Sequence, residues 1–242
     1  IMISKNEAKY IQSLHATKKR GEEGVFIAEG NKAVLEFLNE KFIPLKLFVT
    51  GNWLEQNPQF NGEYIRTVSE DELQKAGFLK TPNQALAIFP QKKEQKIEYK
   101  GKWTLVLDTI QDPGNLGNII RTADWFGLEQ IIASHDTADQ YNPKVVQASM
   151  GSLARVQVVY ENPENFLSKT TLPVYGAMLS GENMYTIPKS KEGILIIGNE
   201  GKGIQENLQR LITTRVTIPK KGKAESLNAA TAFAIIASHL IV

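Results

Sequence analysis

The stretch that decides the fold is the C-terminal fifth of the chain, which has three parts: Gly193-Ile-Leu-Ile-Ile-Gly-Asn-Glu-Gly-Lys-Gly-Ile204, Val216-Thr-Ile-Pro-Lys-Lys-Gly222 and Glu225-Ser-Leu-Asn-Ala-Ala-Thr-Ala-Phe-Ala-Ile-Ile-Ala-Ser-His239. The first part opens with a short β-branched run that ends at Gly198, a pattern typical of a buried strand. The second part repeats this pattern, and Pro219 ends it because proline lacks an N–H donor. The third part predicts an alanine-rich helix capped by Ser226. Two strand ends and one helix start are therefore expected to meet.

The turn after the first of these strands is rich in glycine. Gly198, Gly201 and Gly203 allow positive φ angles and leave backbone N–H groups uncovered by side chains. Such a turn suits the close approach of a polar ligand to the main chain. The sequence therefore predicts a small-molecule site here.

Composition narrows the class of protein without identifying it. The 242 residues carry a net charge of +2, with 42% hydrophobic and 22% charged residues, which is ordinary for a globular protein. The absence of cysteine excludes disulfides, thiolate nucleophiles and cysteine-ligated zinc. No apolar run approaches the roughly 18 residues of a membrane span. We expect a cytoplasmic protein that binds neither membrane nor metal.

The first part of the chain predicts a small α/β domain over residues 1–90. Capping boxes at Ser4 and Ser69 predict two of its helices. The expected elements are helices at 4–16, 31–39 and 69–77, a compact basic loop at 17–21, and strands at 25–28, 45–49, 64–68 and 85–89. Residues 91–98 are polar and aperiodic, so we interpret them as a linker.

The remaining residues, 99–242, predict a second α/β domain. The expected strands are 103–108, 130–133, 155–160, 174–178, 194–197 and 216–218, with a loop at 109–118 and helices at 119–126, 143–150 and 164–169. Strands separated by helices predict a mainly parallel sheet covered on both faces. Ligands then bind at the carboxyl ends of the strands.

Two common kinds of site are poorly supported. The glycines at 114–117 and 198–203 fit neither dinucleotide nor phosphate-loop spacing. His15, His135 and His239 lack matching carboxylate motifs, which disfavours a metal site or a histidine-based triad. Arg121 is placed near the predicted helix start, where an anion is favoured, so it is a candidate for binding phosphate.

Three ordered segments resemble the motifs of the SpoU/TrmH branch of SPOUT RNA methyltransferases. They are Asn115-Leu-Gly-Asn-Ile-Ile-Arg-Thr-Ala123, Ile197-Gly-Asn-Glu-Gly-Lys-Gly203 and Ile218-Pro-Lys-Lys-Gly-Lys-Ala-Glu-Ser-Leu-Asn228. The stretch from Tyr141 to Ser152 is similar to the family's segment between the first two motifs. The first domain resembles the ribosomal-protein-like substrate-binding domain that many members carry. One departure is Lys220, where members often have a hydrophobic residue.

The resemblance implies a trefoil-knotted catalytic domain that binds S-adenosylmethionine, methylates a ribose 2′-hydroxyl in RNA and forms a homodimer. Carried over by position, the catalytic residues are Arg121, Asn115, Glu200, Ser226 and Asn228. The implied cofactor-binding residues are Ala177, Met178, Gly198, Asn199, Glu200, Gly201, Ile218, Pro219 and Leu227. Arginine is a poor proton acceptor, so we expect Arg121 to position phosphate and stabilise a developing alkoxide, and the proton acceptor stays open.

Simpler structural roles exist for several of these residues. Asn115, Asn118 and Ser226 could be helix caps, and Glu200 could pair with Lys202. The basic loop residues Lys18, Lys19 and Arg20 are either solvated or RNA-binding.

The RNA target is the least specified part of the expectation. The N-terminal domain favours large-subunit (23S) ribosomal RNA over transfer RNA. The alternatives are a transfer RNA 2′-O-methyltransferase, a catalytically silent RNA-binding relative, and an unrelated nucleotide-binding α/β enzyme.

Overall fold

The computed structural model describes residues 3–79, 84–93 and 96–242 and divides the chain into two compact units. The first unit comprises Ile1–Lys93 and Asp139–Ala154, and the second comprises Glu94–Ala138 and Arg155–Val242. The proposed linker at 91–98 spans the change from one unit to the other along the chain, and residues 94 and 95 within it lie outside the described residues.

The first unit is built on a four-stranded mixed sheet. Its strands are β1 (Val25–Glu29), β2 (Lys46–Val49), β3 (Ile65–Thr67) and β4 (Ala85–Pro90), in the order β1-β4-β2-β3, and only the β2–β3 pair is parallel. Its helices are α1 (Lys5–Ser13), α2 (Thr17–Glu23), α3 (Asn31–Asn39), α4 (Gly51–Gln56), α5 (Glu70–Ala76) and α7 (Pro143–Ser149). Both predicted capping boxes, at Ser4 and Ser69, are present.

The N-terminal prediction is wrong at two places. Residues 17–21 belong to helix α2 rather than to a loop, and Gly24 ends this helix in the left-handed conformation at φ 64°. Helix α4 was not expected, although Thr50 caps it by accepting a hydrogen bond from Trp53 N at 3.3 Å. The sequence indicates helix α2 through lysine and glutamate residues spaced four apart, such as Lys19 and Glu23, because such pairs are neighbours on a helix surface.

The second unit is built on a six-stranded sheet whose strand pairs are all parallel, which confirms the predicted α/β class. The strands are β5 (Trp103–Asp108), β6 (Gln130–Ala133), β7 (Gln157–Tyr160), β8 (Val174–Asn183), β9 (Gly193–Gly198) and β10 (Thr214–Thr217), in the order β10-β8-β9-β5-β6-β7. The helices are α6 (Pro113–Trp125), α8 (Pro163–Leu167), α9 (Glu206–Gln209) and α10 (Ala229–Leu240).

Both faces of this sheet are covered. Val106, Ile194 and Ile196 are buried in one cluster with residues of α8 and α9. The alternate residues of β5 and β9, such as Leu105 and Leu195, point to the other face and are fully buried as well. Helix α10 packs against α6 and β9. The central strands are therefore the apolar core of the unit.

Two helix starts differ from the sequence-based expectation. Helix α6 begins at Pro113 rather than 119, because Asp112 caps it by accepting a hydrogen bond from Asn115 N at 2.8 Å and proline suits the first helical position. Helix α10 begins at Ala229, and its cap is Asn228 rather than Ser226. Within the described residues, no helix is long and apolar enough to cross a membrane.

Candidate active site

The three motif segments meet at the carboxyl edge of the parallel sheet. Strand β5 ends at Asp108, β9 ends at Gly198 and β10 ends at Thr217, and the intervening β8 runs parallel to both of its neighbours. Because parallel strands end on the same edge, the loops that follow the neighbouring strands β5 and β9 lie side by side, whereas β8 separates β9 from β10. The expected meeting of the turn after β9 with the start of the last helix is confirmed by the hydrogen bonds that join Glu200, Asn115 and Asn228.

A chain of side-chain hydrogen bonds joins one residue from each motif. Asn115 Nδ2, on α6, donates to Glu200 Oε1 at 2.5 Å. Asn228 Nδ2 donates to Asn115 Oδ1 at 2.7 Å, while Asn228 Oδ1 accepts from Ala230 N and Thr231 N at the start of α10. Asn228 is thus both the helix cap and a member of this chain. We call Asn115, Glu200 and Asn228 the polar triad.

The structure contradicts two of the structural roles that the sequence suggested for these residues. Asn115 lies inside α6 instead of capping it, since Asp112 is the cap. Glu200 is bonded to Asn115, and within the described residues it forms no ion pair with Lys202. The triad's half-buried Asn115 and Glu200 are therefore held by each other, and their remaining polar surface faces solvent.

Arg121 lies on α6 more than two turns after the first residue of the helix, so the predicted location at a helix N-terminus is wrong. Its side chain is exposed, and within the described residues it has no hydrogen bond or ion pair. Its neighbour Asp124 is instead bonded to Arg155, with Nη2 to Oδ2 at 2.8 Å. Arg121 is therefore a free guanidinium on the helix that carries Asn115.

The turn from Gly198 to Gly203, called the glycine turn below, is closed by two backbone hydrogen bonds between Asn199 and Gly203, of 3.1 and 2.8 Å. Only Gly203 of its three glycines has a positive φ, of 70°. Gly198 is required for a different reason, since a Cβ atom there would lie 2.4 Å from the backbone of Gly203 and Ile204. A Cβ atom at Gly201 would make only an ordinary contact with Asn199 Oδ1, at 3.6 Å, and the Gly201 N–H donates to the same oxygen at 2.9 Å.

In the segment from Ile218 to Leu227, Ala224 O accepts from Lys220 Nζ at 3.2 Å, and the other main-chain polar groups have no hydrogen-bond partner among the described residues. Within the described residues, none of its backbone N–H or C=O groups takes part in a backbone–backbone hydrogen bond. Pro219 and Ser226 are exposed, Ile218 is half-buried, and Leu227 is 45% exposed. Free amides beside apolar side chains suit a ligand that has both polar and apolar parts.

Ala177 and Met178 lie in a bulge of β8 instead of at a strand end. The β10 partners of Gly176 and Glu182 are consecutive residues, Arg215 and Val216, so residues 177–181 protrude from the ladder. Thr217 Oγ1 donates to Met178 O at 3.0 Å and fixes the protrusion to the end of β10. Met178 is half-buried beside the strand end that leads to Ile218.

The candidate RNA-binding cations of the first unit have different environments. Arg20 is fully buried and donates to Leu14 O, His15 O and Asp139, so its predicted contact with RNA is wrong. Lys18 is 88% exposed, and its nearest carboxylate oxygen, on Glu22, is 3.9 Å away. Lys19 forms a 2.5 Å ion pair with Glu23, and the hydrogen bond to Glu23 raises the pKa of Lys19.

Sequence reasoning missed three residues that support the site: Asp108, Thr109 and Gln205. Asp108 is fully buried, and its carboxylate accepts from Gln205 N and Gln205 Nε2, each at 2.7 Å. Thr109 has φ 61°, an unusual angle for a β-branched residue. A charged residue ending an apolar strand was the only sequence indication, and it did not reveal these contacts. No group of three potential metal ligands exists among the residues that the structure describes.

Comparison with known proteins assigns the chain to a family. Residues 102–238 match the SpoU rRNA Methylase family, and residues 5–87 match the MRM3-like substrate binding domain. The chain therefore belongs to the SpoU rRNA methylase family. It is 34% identical over 245 residues to the 23S rRNA (guanosine(2553)-2′-O)-methyltransferase RlmP of Bacillus subtilis, a match that covers 99% of this chain and 98% of the relative.

Solved structures agree with this assignment over the whole length. A TrmH-family protein from Porphyromonas gingivalis is 38% identical, with a TM-score of 0.88 over 99% of this chain and 98% of its own. An rRNA methyltransferase from Sinorhizobium meliloti with AdoMet bound is 30% identical, with a TM-score of 0.87 over 99% of this chain and 95% of its own.

Proposed function

We propose that this protein is an S-adenosylmethionine-dependent methyltransferase that modifies a ribose 2′-hydroxyl in large-subunit ribosomal RNA. The single observation that carries the proposal is the polar triad, which joins the three family motifs at the carboxyl edge of the sheet, on the helix that carries the free Arg121. The RlmP relative, named for 2′-O-methylation of 23S rRNA, matches this chain from end to end and supports the RNA target.

The residues at the sheet edge fit the cofactor. Apart from Ala224 O, which accepts from Lys220 Nζ, the main-chain groups of 218–227 have no hydrogen-bond partner among the described residues and could bind an adenine edge. Met178, Ile218 and Leu227 offer half-exposed apolar surface for its ring. Asn199, Glu200 and Gly201 of the glycine turn, with Gly198 behind them, would hold the polar part of the molecule. Ala177, in the bulge of β8, and Pro219, in the segment after β10, would complete the site. When bound, S-adenosylmethionine supplies a methyl group on a sulfonium.

The side chains of the protein would position the hydroxyl and stabilise the charge that develops on it. Transfer to a hydroxyl requires the oxygen to be held in line and its developing negative charge to be stabilised. The guanidinium of Arg121 has no hydrogen-bond or ion-pair partner among the described residues, so it can bind the phosphate of the target nucleotide and stabilise that charge. The polar triad fixes Asn115, on the same helix as Arg121, to Glu200, and Ser226 adds an exposed side chain with a hydroxyl two residues before Asn228.

The domain roles follow from the same proposal. Residues 1–90 would bind the RNA substrate, 91–98 would form the linker, and 99–242 would form the trefoil-knotted catalytic domain and the homodimer interface. Lys18 and Lys19 remain candidate phosphate contacts because exposed ion pairs one helical turn apart are weak and can exchange for phosphate. A protein that modifies ribosomal RNA would work in the cytoplasm.

Tritium transfer from labelled S-adenosylmethionine tests the proposal. We expect label in unmodified large-subunit ribosomal RNA at a position that resists alkaline cleavage, because a methylated 2′-oxygen cannot attack the adjacent phosphate. Arg121→Ala should abolish the label, whereas Arg210→Ala, which removes another exposed arginine that has no partner among the described residues, should leave it unchanged.

The other outcomes each contradict a defined part of the proposal. Label that remains sensitive to alkali would point to base methylation. Label confined to transfer RNA would keep the reaction and change the substrate. Cofactor binding without label in either RNA would favour the silent RNA-binding relative.

A further inference from the structure

Thr109, the first residue after β5, is held in a strained backbone conformation. Its φ of 61° lies in the left-handed region, which is unfavourable for a β-branched side chain. Its polar groups are all engaged: N donates to Ser134 Oγ at 2.9 Å, O accepts from Asn199 Nδ2 at 2.8 Å, and Oγ1 donates to Asp108 Oδ1 at 3.0 Å. The surrounding hydrogen bonds therefore maintain a conformation that the residue would not adopt alone.

Asp108 is a buried carboxylate without a basic partner among the described residues. It is fully buried, and its two oxygens are satisfied by the backbone N–H and the side-chain amide of Gln205, both at 2.7 Å, together with the hydroxyl of Thr109. Burying a charge is costly unless hydrogen bonds compensate for it. The hydrogen bonds to Asp108 offset that cost. They also fix Gln205, an exposed residue that follows the glycine turn.

These contacts anchor the glycine turn on both sides of Glu200. Asn199 immediately precedes Glu200 and is bonded to Thr109, and Gln205 follows the turn and is bonded to Asp108. Asp108 and Thr109 are also the residues from which the chain continues into α6, which carries Asn115. The end of β5 therefore holds both the glycine turn and the start of the connection to α6, and so determines the distance between Glu200 and Asn115.

We infer that Asp108, Thr109 and Gln205 are positioning residues, which hold the glycine turn so that Glu200 and Asn115 meet and the cofactor-binding backbone is formed in advance. This inference rests on the proposed function for the role of the turn. The hydrogen bonds of Asp108, Thr109 and Gln205 do not depend on the proposed function, because they are made within the chain.

A charge-exchange pair tests the inference. Gln205→Glu places a carboxylate against the carboxylate of Asp108, so this change removes the complementarity. Asp108→Asn should leave it largely intact, because its oxygen still accepts from Gln205 N and its NH2 group donates to Gln205 Oε1 once the side-chain amide of Gln205 turns over. The double variant Asp108→Asn/Gln205→Glu restores one donor and one acceptor in the same space. Glu206→Gln, a charge change at the adjacent exposed residue, is the matched control.

Two readouts separate positioning from general stability. In the protein without cofactor, amide hydrogen exchange at Gly201, Lys202 and Gly203 should speed up by about tenfold or more in Gln205→Glu and recover in the double variant. The dissociation constant for S-adenosylmethionine should rise by about tenfold in Gln205→Glu and also recover in the double variant, because the glycine turn is no longer preorganised. Asp108→Asn alone should stay close to the wild type in both measurements. The control variant should resemble the wild type in both.

The outcomes distinguish this inference from the proposed function. Wild-type protein that binds no S-adenosylmethionine would contradict the proposed function, while the exchange data would still test the anchoring of the turn. A Gln205→Glu variant with wild-type exchange and affinity, or a double variant no better than Gln205→Glu, would overturn the inference. Because Gln205 is exposed, Gln205→Glu is expected to fold even if Asp108→Asn does not.

Discussion

Asn115 and Asn228 are 113 positions apart in the chain and are joined by a 2.7 Å hydrogen bond between their side-chain amides. Each amide has a second partner: Asn115 Nδ2 donates to Glu200, and Asn228 Oδ1 caps α10. The bond therefore connects the stability of a helix start to the geometry of the candidate active site, and the two contributions can be separated by substitution.

Asn228→Ser should separate them. Serine is a good helix cap, so the melting temperature is expected to change little, but it has no amide to donate to Asn115. Methyl transfer should fall by at least about tenfold, the loss of one well-placed contact. Asn228→Ala should lose both, with a further destabilisation of about 1 kcal/mol from the lost cap. Thermal unfolding and rate measurements on the two variants check this, and equal melting temperatures for both would argue against the capping role.

Asn115→Asp tests the other half of the triad. The new carboxylate would face Glu200 Oε1, which now accepts a hydrogen bond at 2.5 Å, so the contact becomes repulsive. We expect a large loss of methyl transfer. Asn118→Asp is the control, because it makes the same charge change on the exposed surface of the same helix. Equal activity of the two variants, measured with the same RNA, would contradict the role given to Asn115.

Gly198→Ala should destabilise the second unit. The added Cβ would lie 2.4 Å from Gly203 C and Ile204 N, which are backbone atoms that cannot move aside. Overpacking of this kind typically costs about 1–3 kcal/mol, and cofactor binding should weaken because the glycine turn must shift. Gly222→Ala is the control, since nothing lies within 4 Å of its Cβ position. Comparing the two melting temperatures is the test, and a stable Gly198→Ala protein would show that the turn is free to relax.

The sequence predicts the central strands of the second unit accurately because the pattern that defines each strand lies within the strand itself. Strands β5 and β9 are continuous apolar runs, bounded by a charged residue at Asp108 and by glycine at Gly198. The helix starts are less well predicted, because several polar residues near each start can serve as the cap. Asp112 followed by Pro113 was the better indication for α6. For α10, Asn228 is the cap because its side chain accepts from Ala230 N and Thr231 N, whereas Ser226 lies two residues before it, outside the helix.

The sequence predicts which residues belong to the candidate site, but it does not predict the hydrogen bonds between them. Motif resemblance identifies Asn115, Glu200 and Asn228, while their mutual hydrogen bonds depend on the packing of α6 and α10 at the sheet edge. The burial of Arg20 likewise depends on Asp139, 119 positions away, which no local pattern in a lysine- and arginine-rich stretch reveals. Long-range partners of polar residues are what the sequence leaves undetermined.

Arg20→Met should destabilise the first unit strongly. Arg20 from α2 is bonded to two backbone carbonyls, to Thr17 and to Asp139, and its side chain is 1% exposed. Removing one partner of a buried ion pair leaves the other groups unsatisfied, at a cost of about 3–5 kcal/mol. Lys18→Met is the control, since its side chain is 88% exposed. Denaturant unfolding of both variants measures the difference, and similar midpoints would mean that Arg20 is not a structural residue.

Glu7→Gln should reveal a pH-dependent contribution to stability. The hydrogen bond from Lys46, at 3.0 Å, outweighs the effect of burial and lowers the pKa of Glu7 from 4.5 to about 2. Because the folded-state pKa lies below the unfolded one, the charged form stabilises the protein above pH 4.5, and this contribution is lost as the pH falls towards 2. For a partly exposed pair we expect about 1 kcal/mol at pH 7.

Urea unfolding of wild type and Glu7→Gln at pH 7, 4 and 3 measures this contribution, with the pH values set by the shift from 4.5 to about 2. The difference in unfolding free energy should be largest at pH 7 and should shrink at each lower pH, because the wild type loses its carboxylate while the variant has none to lose. Glu55→Gln, at an exposed residue of α4, should show no such trend. A difference that stays constant from pH 7 to 3 would mean that shape rather than charge at residue 7 stabilises the start of α1, where Glu7 also closes the capping box with Ser4.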